Sequence, residues 1–339
     1  MNQELAGDTG SGLAIPPGKR VDERPSSRGA RIFELIAEYA VLALLAIVFA
    51  WLAFASPAFL STQNIFNILN QNAPLAIVAC AGTLVIIGGG FDLSTGAIVG
   101  VAAVFAAWVA VNIDPTLGLL LAPVVGLALG ITNGLVIVGL RIHSFLATLA
   151  SSLVYGGFAL FITGGFLISV TAFPEFTQLG RAKIEGLNYA VLVFIAFAAA
   201  MWIILDATPL GRYIYALGGN EEAAVLSGVR VKRVRIATFA LSGLAAGLAG
   251  AITVSRIASG QPQTGEGVAL QAIAAIILGG TSIYGGKGAI WRSIAGVYLL
   301  ALIGNGFNIL NIDPFLKDLV TGLIIIAAVG LSAARGRRR

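Results

Sequence analysis

The sequence predicts an all-α polytopic membrane protein with about ten transmembrane helices. Of its 339 residues, 58% are hydrophobic and only 11% are charged, whereas a soluble globular domain carries about 25% charged residues. The mean hydropathy is +0.92. Apolar runs of roughly 20 residues, enough to cross a hydrocarbon core of about 30 Å, recur along the chain. These observations exclude a soluble enzyme, a disordered chain and a nucleic-acid-binding protein.

Ten apolar segments define the predicted spans. Residues 1–33 are polar and contain prolines, so we expect a cytoplasmic tail there, followed by a transmembrane domain over 34–333 and a basic cytoplasmic tail over 334–339. Only a glycine-rich break at 88–92 separates the second span from the third, and the eighth span is short. The predicted spans are 36–56, 73–90, 93–112, 118–140, 145–166, 188–205, 236–255, 268–280, 291–309 and 316–333.

The basic residues predict the orientation of these spans. If the N-terminus is cytoplasmic and the spans alternate, 17 of the 21 Lys and Arg residues face the cytoplasm. The four that face outward are Arg181, Lys183, Arg256 and Lys317. Cytoplasmic loops of membrane proteins carry such an excess of basic residues. The sequence therefore predicts that both termini lie in the cytoplasm.

Residues suited to covalent chemistry are few. Cys80 is the only cysteine and His143 the only histidine, so no disulfide, metal site or histidine-based catalysis is expected. Asp92 is the only acid near a break between spans; it either lines a pathway or caps a helix, and we favour capping. The segment Gly280–Gly288 superficially resembles a phosphate-binding loop, but Thr281 stands where that loop requires a glycine. Gly288 stands after the lysine, where the loop requires Ser or Thr. We therefore predict no catalytic, metal or cofactor site in this chain.

Residues 206–235 form the longest predicted cytoplasmic connection. Asn220 is typical of a helix N-cap, Glu221 and Glu222 of a first turn, and Gly228 of a C-terminal stop. These signals predict a helix of about two turns. Its alanine face suits a protein groove better than a lipid surface, so docking to a soluble partner is the favoured interpretation.

Four segments, in order and at the family's spacing, resemble the permease subunit of a bacterial ATP-binding-cassette sugar importer of the ribose type. Gly88–Gly96 resembles the signature Gly-Gly-Ile-Asp-Leu-Ser-x-Gly, with Phe91 in place of Ile. Thr208–Ala224 resembles the cytoplasmic coupling loop, and Leu241–Gly250 follows as in the family. Leu278–Gly288 resembles the family's Gly-Gly-Thr-Ser-x-x-Gly-Gly-x-Gly.

This resemblance extends over residues 60–330 and implies a fold similar to that of the vitamin B12 importer permease, with ten spans. It also implies a second permease copy in a homodimer, ATPase subunits that bind ATP-Mg, a periplasmic sugar-binding protein and the bacterial inner membrane. The chain would then translocate a monosaccharide or related polyol and bind membrane lipid but no nucleic acid. The alternatives are an ion-coupled secondary transporter, a related permease for nucleosides or branched-chain amino acids, and a purely structural membrane subunit.

Two groups of residues follow from the motifs. The residues expected to couple the chain to the ATPase are Tyr213, Gly218, Gly219, Asn220, Glu221, Glu222, Ala223, Ala224, Leu226 and Gly228. Glu221 and Glu222 are expected to make polar contacts, and Ala223, Ala224 and Leu226 to pack against the partner. The motif residues expected to have a structural role are Gly89, Gly90, Asp92, Ser94, Gly96, Gly279, Gly280, Gly285 and Gly286.

A third group comprises the candidate substrate path. Amide and hydroxyl groups and aromatic faces can hold sugars, and hydrogen bonding between helices is the alternative role for each such residue. The candidates are Asn70, Gln71, Asn72, Asn133, Ser151, Ser152 and Tyr155. Separately, Gly126, Gly130 and Gly134, together with Gly243 and Gly247, are spaced by four residues and predict close helix packing.

Overall fold

The structure, a computed structural model, describes residues 28–313 and, further along, positions 316, 319, 320, 322, 323, 326 and 330. Side chains are described from Tyr39 onward. The chain divides into the units Met1–Ala37 and Glu38–Arg339, and the second unit contains all of the described side chains. Most of the predicted N-terminal tail and the C-terminal tail lie outside the described residues, although residues 28–33 are helical.

The described part of the chain is almost entirely helical, with four two-residue strands that pair antiparallel, β1 with β4 and β2 with β3. The helices are α1 Arg28–Ala55, α2 Thr62–Ile87, α3 Thr95–Asn112, α4 Pro115–Leu140, α5 Ser144–Thr163, α6 Gln178–Arg181, α7 Tyr189–Ala207, α8 Pro209–Gly219, α9 Glu221–Leu226, α10 Val231–Ile257, α11 Val268–Leu278 and α12 Ile290–Ile309. The strands are β1 Ile168–Ser169, β2 Lys183–Ile184, β3 Leu187–Asn188 and β4 Ser259–Gly260.

Seven helices within the described residues are long and apolar enough to cross a membrane, namely α2, α3, α4, α5, α7, α10 and α12. This confirms an all-α polytopic membrane protein. The first predicted span coincides with α1, whose apolar part is the shorter Tyr39–Ala55, and the eighth coincides with the 11-residue α11. The tenth, 316–333, lies largely outside the described residues. A total of ten spans therefore stays a prediction.

Helix α2 begins at Thr62, well before the predicted start of the second span at 73. Ser61 caps it, because the Ser61 hydroxyl oxygen accepts a hydrogen bond from the Asn64 N–H at 3.3 Å. Polar side chains in the first turns lower the local hydropathy and so hide the helix from a search for apolar runs. Asn70, Gln71 and Asn72, which precede the predicted second span, therefore lie inside α2.

The spaced glycines bring α4 and α10 into close contact, as predicted. A Cβ atom added at Gly126 would lie 2.7 Å from the Cα of Gly247, and one added at Gly243 would lie 2.7 Å from the Cα of Gly130. Neither distance is compatible with a side chain, so the two backbones touch directly. With α2 and α3, helix α10 forms the most buried part of the bundle.

Two short helices occupy the connection between α7 and α10. Helix α9 has the predicted cap, since the Asn220 Oδ1 accepts a hydrogen bond from the Ala223 N–H at 2.9 Å, and Gly228 follows with a φ of 80°. Helix α8 was not predicted. The local signal for it is Thr208, which caps the helix, followed by Pro209 at its first position.

Candidate translocation and coupling sites

A cavity of about 260 Å³ lies between α2, α11 and α12, and we name it the carboxamide cavity. Its other lining residues are apolar side chains and one glycine, so no ionisable side chain of the described residues lines it. The seven side chains that give it its name are Asn64, Asn67, Gln71, Asn72, Gln271, Asn305 and Asn308.

Some of these carboxamides hold the walls of the cavity together, and others have no hydrogen-bond partner within the described part of the chain. Asn64 and Asn305 exchange hydrogen bonds between α2 and α12, with N···O distances of 3.2 and 2.8 Å. In contrast, the side chains of Gln71, Gln271 and Asn308 have no hydrogen-bond partner within the described part of the chain. Because an unpaired amide is costly in lipid, these groups fit a water-filled space on a transport route.

Of the candidate substrate-path residues, Gln71 and Asn72 line this cavity. Asn70 points elsewhere: it is 5% exposed, its Oδ1 accepts a hydrogen bond from the Asn188 N–H at 3.0 Å, and its Nδ2 has no partner among the described residues. Ser151 and Ser152 lie on α5, which does not contribute to the cavity, and Ser152 donates to the Leu149 carbonyl.

Sequence reasoning did not identify five of the seven carboxamides, which are Asn64, Asn67, Gln271, Asn305 and Asn308. A signal for part of this set is present in α2. Residues 64, 67, 68, 71, 72 and 75 follow the three- and four-residue spacing of one helix face, and four of them are amides. The α12 residues that line the cavity show the same spacing with only two amides, Asn305 and Asn308, and α11 contributes Gln271 alone.

Asn133 and Tyr155 belong to a buried hydrogen-bond chain around Asp92, which we name the Asp92 network. The Asp92 Oδ2 accepts from the Ser242 hydroxyl at 2.7 Å, and its Oδ1 accepts from the Ser94 N–H and hydroxyl at 3.0 and 2.6 Å. The Asn133 Nδ2 donates to the Ser94 Oγ, and the Tyr155 hydroxyl donates to the Asn133 Oδ1. The network therefore ties the α2–α3 break to α4, α5 and α10.

This arrangement is consistent with a structural role for Asp92, although the N-cap residue of α3 is Ser94. Asp92 binds the Ser94 N–H from just before the helix and also binds α10 through Ser242. Asn133 is fully buried and Tyr155 is 7% exposed, so both make hydrogen bonds between helices and neither lines the carboxamide cavity. The geometry of Asn133 and Tyr155 thus matches the alternative role for these candidates, which is hydrogen bonding between helices.

Three motif segments meet at a contact that we name the glycine junction, formed by residues 87–90, 218–219 and 285–286. The Gly286 N–H donates to the Ile87 carbonyl at 2.8 Å. A Cβ atom at Gly218 would overlap that same carbonyl oxygen and lie 2.6 Å from the Gly286 nitrogen. Nearby, the Tyr215 hydroxyl donates to the Gly288 carbonyl at 2.9 Å. The end of α8 is thus fixed against the end of α2 and the α11–α12 loop.

The remaining motif residues also make close backbone contacts. Gly96 lies against Gly265, Gly279 lies against the backbone of Arg292, and in both cases a Cβ atom would overlap a carbonyl oxygen. Gly89 and Gly280 have φ values of 78° and 89°, which favour glycine. This geometry is consistent with the structural role expected of these positions, which stays a prediction.

The exposed face of α9 differs from the predicted one. Ala224 is only 4% exposed and packs into the main core, so its expected contact with a partner is corrected. The exposed apolar side chains are Val225 at 55% and Leu226 at 88%. Glu221 forms an ion pair with Arg235 at 2.9 Å, which holds α9 against α10.

Other predicted coupling residues lie on the surface of the same region. Tyr213 is 43% exposed. Gly219, Asn220, Glu222, Ala223 and Gly228 are exposed as well, whereas Gly218 lies in the glycine junction.

Comparison with known proteins gives one consistent result. Residues 64–329 match the family described as "Branched-chain amino acid transport system / permease component". The ribose import permease RbsC of Bacillus subtilis (strain 168) is 38% identical over 81% of this chain and 86% of its own length. RbsC of Escherichia coli (strain K12) is 38% identical over 87% of this chain and 93% of its own length. The L-arabinose transport system permease AraH of the same strain is 36% identical over 86% of this chain and 89% of its own length.

No solved structure matches the chain, so the likeness to the vitamin B12 importer permease stays a prediction. The family match spans most of the chain, and the relatives are similar over most of their own length. Permeases of this kind are transport components without catalytic activity of their own. The chain therefore belongs to the branched-chain amino acid transport system permease family and is a multi-pass permease subunit of an ATP-binding-cassette importer.

Proposed function

We propose that this permease carries a neutral polyhydroxylated solute, a monosaccharide or related polyol, into the bacterial cytoplasm. The carboxamide cavity is the observation that carries the proposal. Each carboxamide offers both donors and an acceptor, which suits hydroxyl groups. The charged groups of an amino acid would find no counter-charge among the described lining residues and would lose hydration without compensation. The names of the relatives, which specify ribose and L-arabinose, support the same class of cargo.

The proposed path begins at the carboxamide cavity. At about 260 Å³, the cavity is smaller than the roughly 300–1,000 Å³ of pockets that hold drug-sized ligands, and it suits a single small solute. With both termini in the cytoplasm, the amide-rich start of α2 faces the periplasm, where a sugar-binding protein would deliver the cargo. Binding there is weak in this proposal, because a transport route must release what it binds.

Coupling to ATP hydrolysis is proposed to pass through α9 and the glycine junction. Val225 and Leu226 expose an apolar surface that a groove on a partner ATPase, which binds ATP-Mg, could cover. Ala224 packs α9 into the main core, and the glycine junction fixes α8 to α2 and to the α11–α12 loop. A displacement of α9 would therefore reach α2, one wall of the cavity. The full complex is proposed to contain two copies of this chain, each with ten spans.

The cargo is tested by uptake into proteoliposomes that contain this chain, its ATPase and its binding protein. We expect ATP-dependent uptake of a pentose or hexose and none of leucine. Changing Gln71 and Gln271 together to alanine should lower maximal uptake at least severalfold, since both amides are free to bind a solute. Gln178→Ala is the matched control, because Gln178 is an exposed glutamine on α6 away from the cavity.

Leucine uptake in place of sugar uptake would overturn the proposed cargo. Sugar uptake that follows an ion gradient without ATP would instead support the secondary-transporter alternative. Unchanged sugar uptake in the Gln71 and Gln271 double variant would remove the cavity from the path while leaving the cargo in place.

A further inference from the structure

Helix α2 contains a proline at position 74, within its buried part. Proline has no N–H, so the carbonyl of Asn70, four residues earlier, loses its helical hydrogen bond. The ring also pushes the preceding turn open, which weakens the hydrogen bond to the next carbonyl, that of Gln71. A membrane helix tolerates such a break when a neighbouring group supplies the missing donors.

The guanidinium of Arg256 lies at these two carbonyls. Arg256 is in the last turn of α10, and its Nη1 donates to the Gln71 oxygen at 3.1 Å and to the Asn70 oxygen at 3.5 Å. No carboxylate within 4.0 Å of Arg256 is found in the part of the chain that the structure describes. The positive charge is therefore directed at main-chain carbonyls of a different helix and not at an acidic side chain.

The backbone of Arg256 is also held in place from its other side. The Arg181 Nε donates to the Arg256 carbonyl at 2.8 Å, and a Cβ atom at Gly180 would lie 2.7 Å from the Arg256 Cα. The neighbouring Ser255 hydroxyl accepts from the Gly180 N–H and donates to the Phe176 carbonyl. Helix α6 and the turn before it thus fix the point from which the Arg256 side chain reaches α2.

We propose that Arg256 is a positioning residue that supplies the donors lost at Pro74 and sets the direction of the outer half of α2. Asn64, Asn67 and Gln71 all precede the break and line the carboxamide cavity. Arg256 therefore controls where one wall of the cavity stands. The contact between α10 and α2 is independent of the proposed function, whereas its consequence for transport rests on that function.

A simpler role for Arg256 makes a different prediction. A cation in the last turn of a helix interacts favourably with that helix's own C-terminus. In that case the contribution of Arg256 to stability would not depend on whether residue 74 is proline. The identity of residue 74 therefore separates the two roles.

The test is a double-mutant cycle on the thermal stability of the purified full chain, using Arg256→Gln with and without Pro74→Ala. Alanine restores the N–H at position 74 and so supplies the Asn70 carbonyl from within α2. We expect the loss of melting temperature caused by Arg256→Gln to be at least halved in the Pro74→Ala background. An equal loss in both backgrounds would overturn the proposal.

Lys183→Gln is the control, since Lys183 is an exposed cation of β2 whose side chain makes no hydrogen bond or ion pair within the described part of the chain. Its effect on stability should be the same with proline or alanine at position 74. Should Pro74→Ala not fold, spin labels at Gln63→Cys and Ser227→Cys in a Cys80→Ala background provide a second measurement. Arg256→Gln should shift or broaden the distance between these labels and Lys183→Gln should not; an unchanged distance in the Arg256 variant would overturn the proposal.

Uptake by the Arg256→Gln variant separates this inference from the proposed function. Coupling between positions 74 and 256 in the stability cycle, together with normal sugar uptake, would retain the Arg256 contact and refute the role of the outer half of α2 in transport. Loss of sugar uptake in the Gln71 and Gln271 double variant, without any coupling between positions 74 and 256, would refute the proposed role of Arg256. It would retain the role of the carboxamide cavity in transport.

Discussion

At the scale of single residues, burial separates amides that hold helices together from amides that we propose to bind the solute. Asn133 donates to the Ser94 Oγ and accepts from the Tyr155 hydroxyl, all within the buried Asp92 network. We expect Asn133→Ala to cost about 1–3 kcal/mol of stability, because the partners left behind are buried and unpaired. The solute concentration for half-maximal uptake should not change, since Asn133 does not line the carboxamide cavity.

Thermal unfolding and uptake kinetics of the Asn133→Ala variant check this prediction. Ser152→Ala is the control, because Ser152 bonds only to a carbonyl of its own helix and its loss should affect neither measurement. A stable Asn133→Ala variant with an altered dependence on solute concentration would place Asn133 back on the substrate path.

Only some residues of the carboxamide cavity could be identified from the sequence. Gln71 and Asn72 were identifiable because they are consecutive amides next to a long apolar run. Asn305 was not, because its partner Asn64 is 241 residues away and only the packing of α12 on α2 brings them together. Residue type thus predicts the chemistry that is available, while the contacts between helices decide which groups are already paired.

At the scale of elements, local sequence signals predicted where a helix forms better than they predicted which of its faces is buried. The Asn220 cap and Gly228 stop are contained within nine residues, so α9 could be predicted from sequence alone. Which side of α9 is buried depends on the packing of α9 beside α10, and for that reason Ala224 was assigned to the wrong face. The start of α2 was missed for a related reason, since its amides face a cavity and lower the hydropathy of a membrane helix.

The glycine junction allows a test with two adjacent residues. Gly218→Ala places a methyl group against the Ile87 carbonyl and the Gly286 nitrogen, whereas a methyl group at Gly219 meets no atom within 4 Å. Overpacking of this kind typically costs about 1–3 kcal/mol. We therefore expect Gly218→Ala to lower the melting temperature and ATP-dependent uptake, and Gly219→Ala to leave both near wild type. Equal behaviour of the two variants would show that the junction is not tightly packed.

At the scale of the whole molecule, hydropathy located the spans and left their arrangement open. Each of the first nine predicted spans coincides with a helix, because crossing a bilayer requires long apolar segments whatever the fold. The spaced glycines correctly indicated close packing, but their spacing could not identify α10 as the partner of α4. The hydrogen bonds across the Asp92 network and from Arg256 to α2 depend on that arrangement and were beyond prediction from sequence.

Sidedness and docking can be measured together, since the proposed orientation places α9 in the cytoplasm and β2 outside. Lys183 and Ser227 are both exposed, so single cysteines at these positions, in a Cys80→Ala background, are open to a membrane-impermeant maleimide. We expect Lys183→Cys to react from the periplasmic side and Ser227→Cys only in inverted vesicles.

Adding the partner ATPase to those vesicles should slow labelling at position 227 several-fold, because the surface around Leu226 becomes covered. Leu226→Arg should abolish that protection without unfolding the chain, since Leu226 is 88% exposed and its replacement disturbs no core contact. Labelling of both cysteines from the same side would refute the orientation, and unprotected labelling at position 227 in an active complex would refute docking at α9.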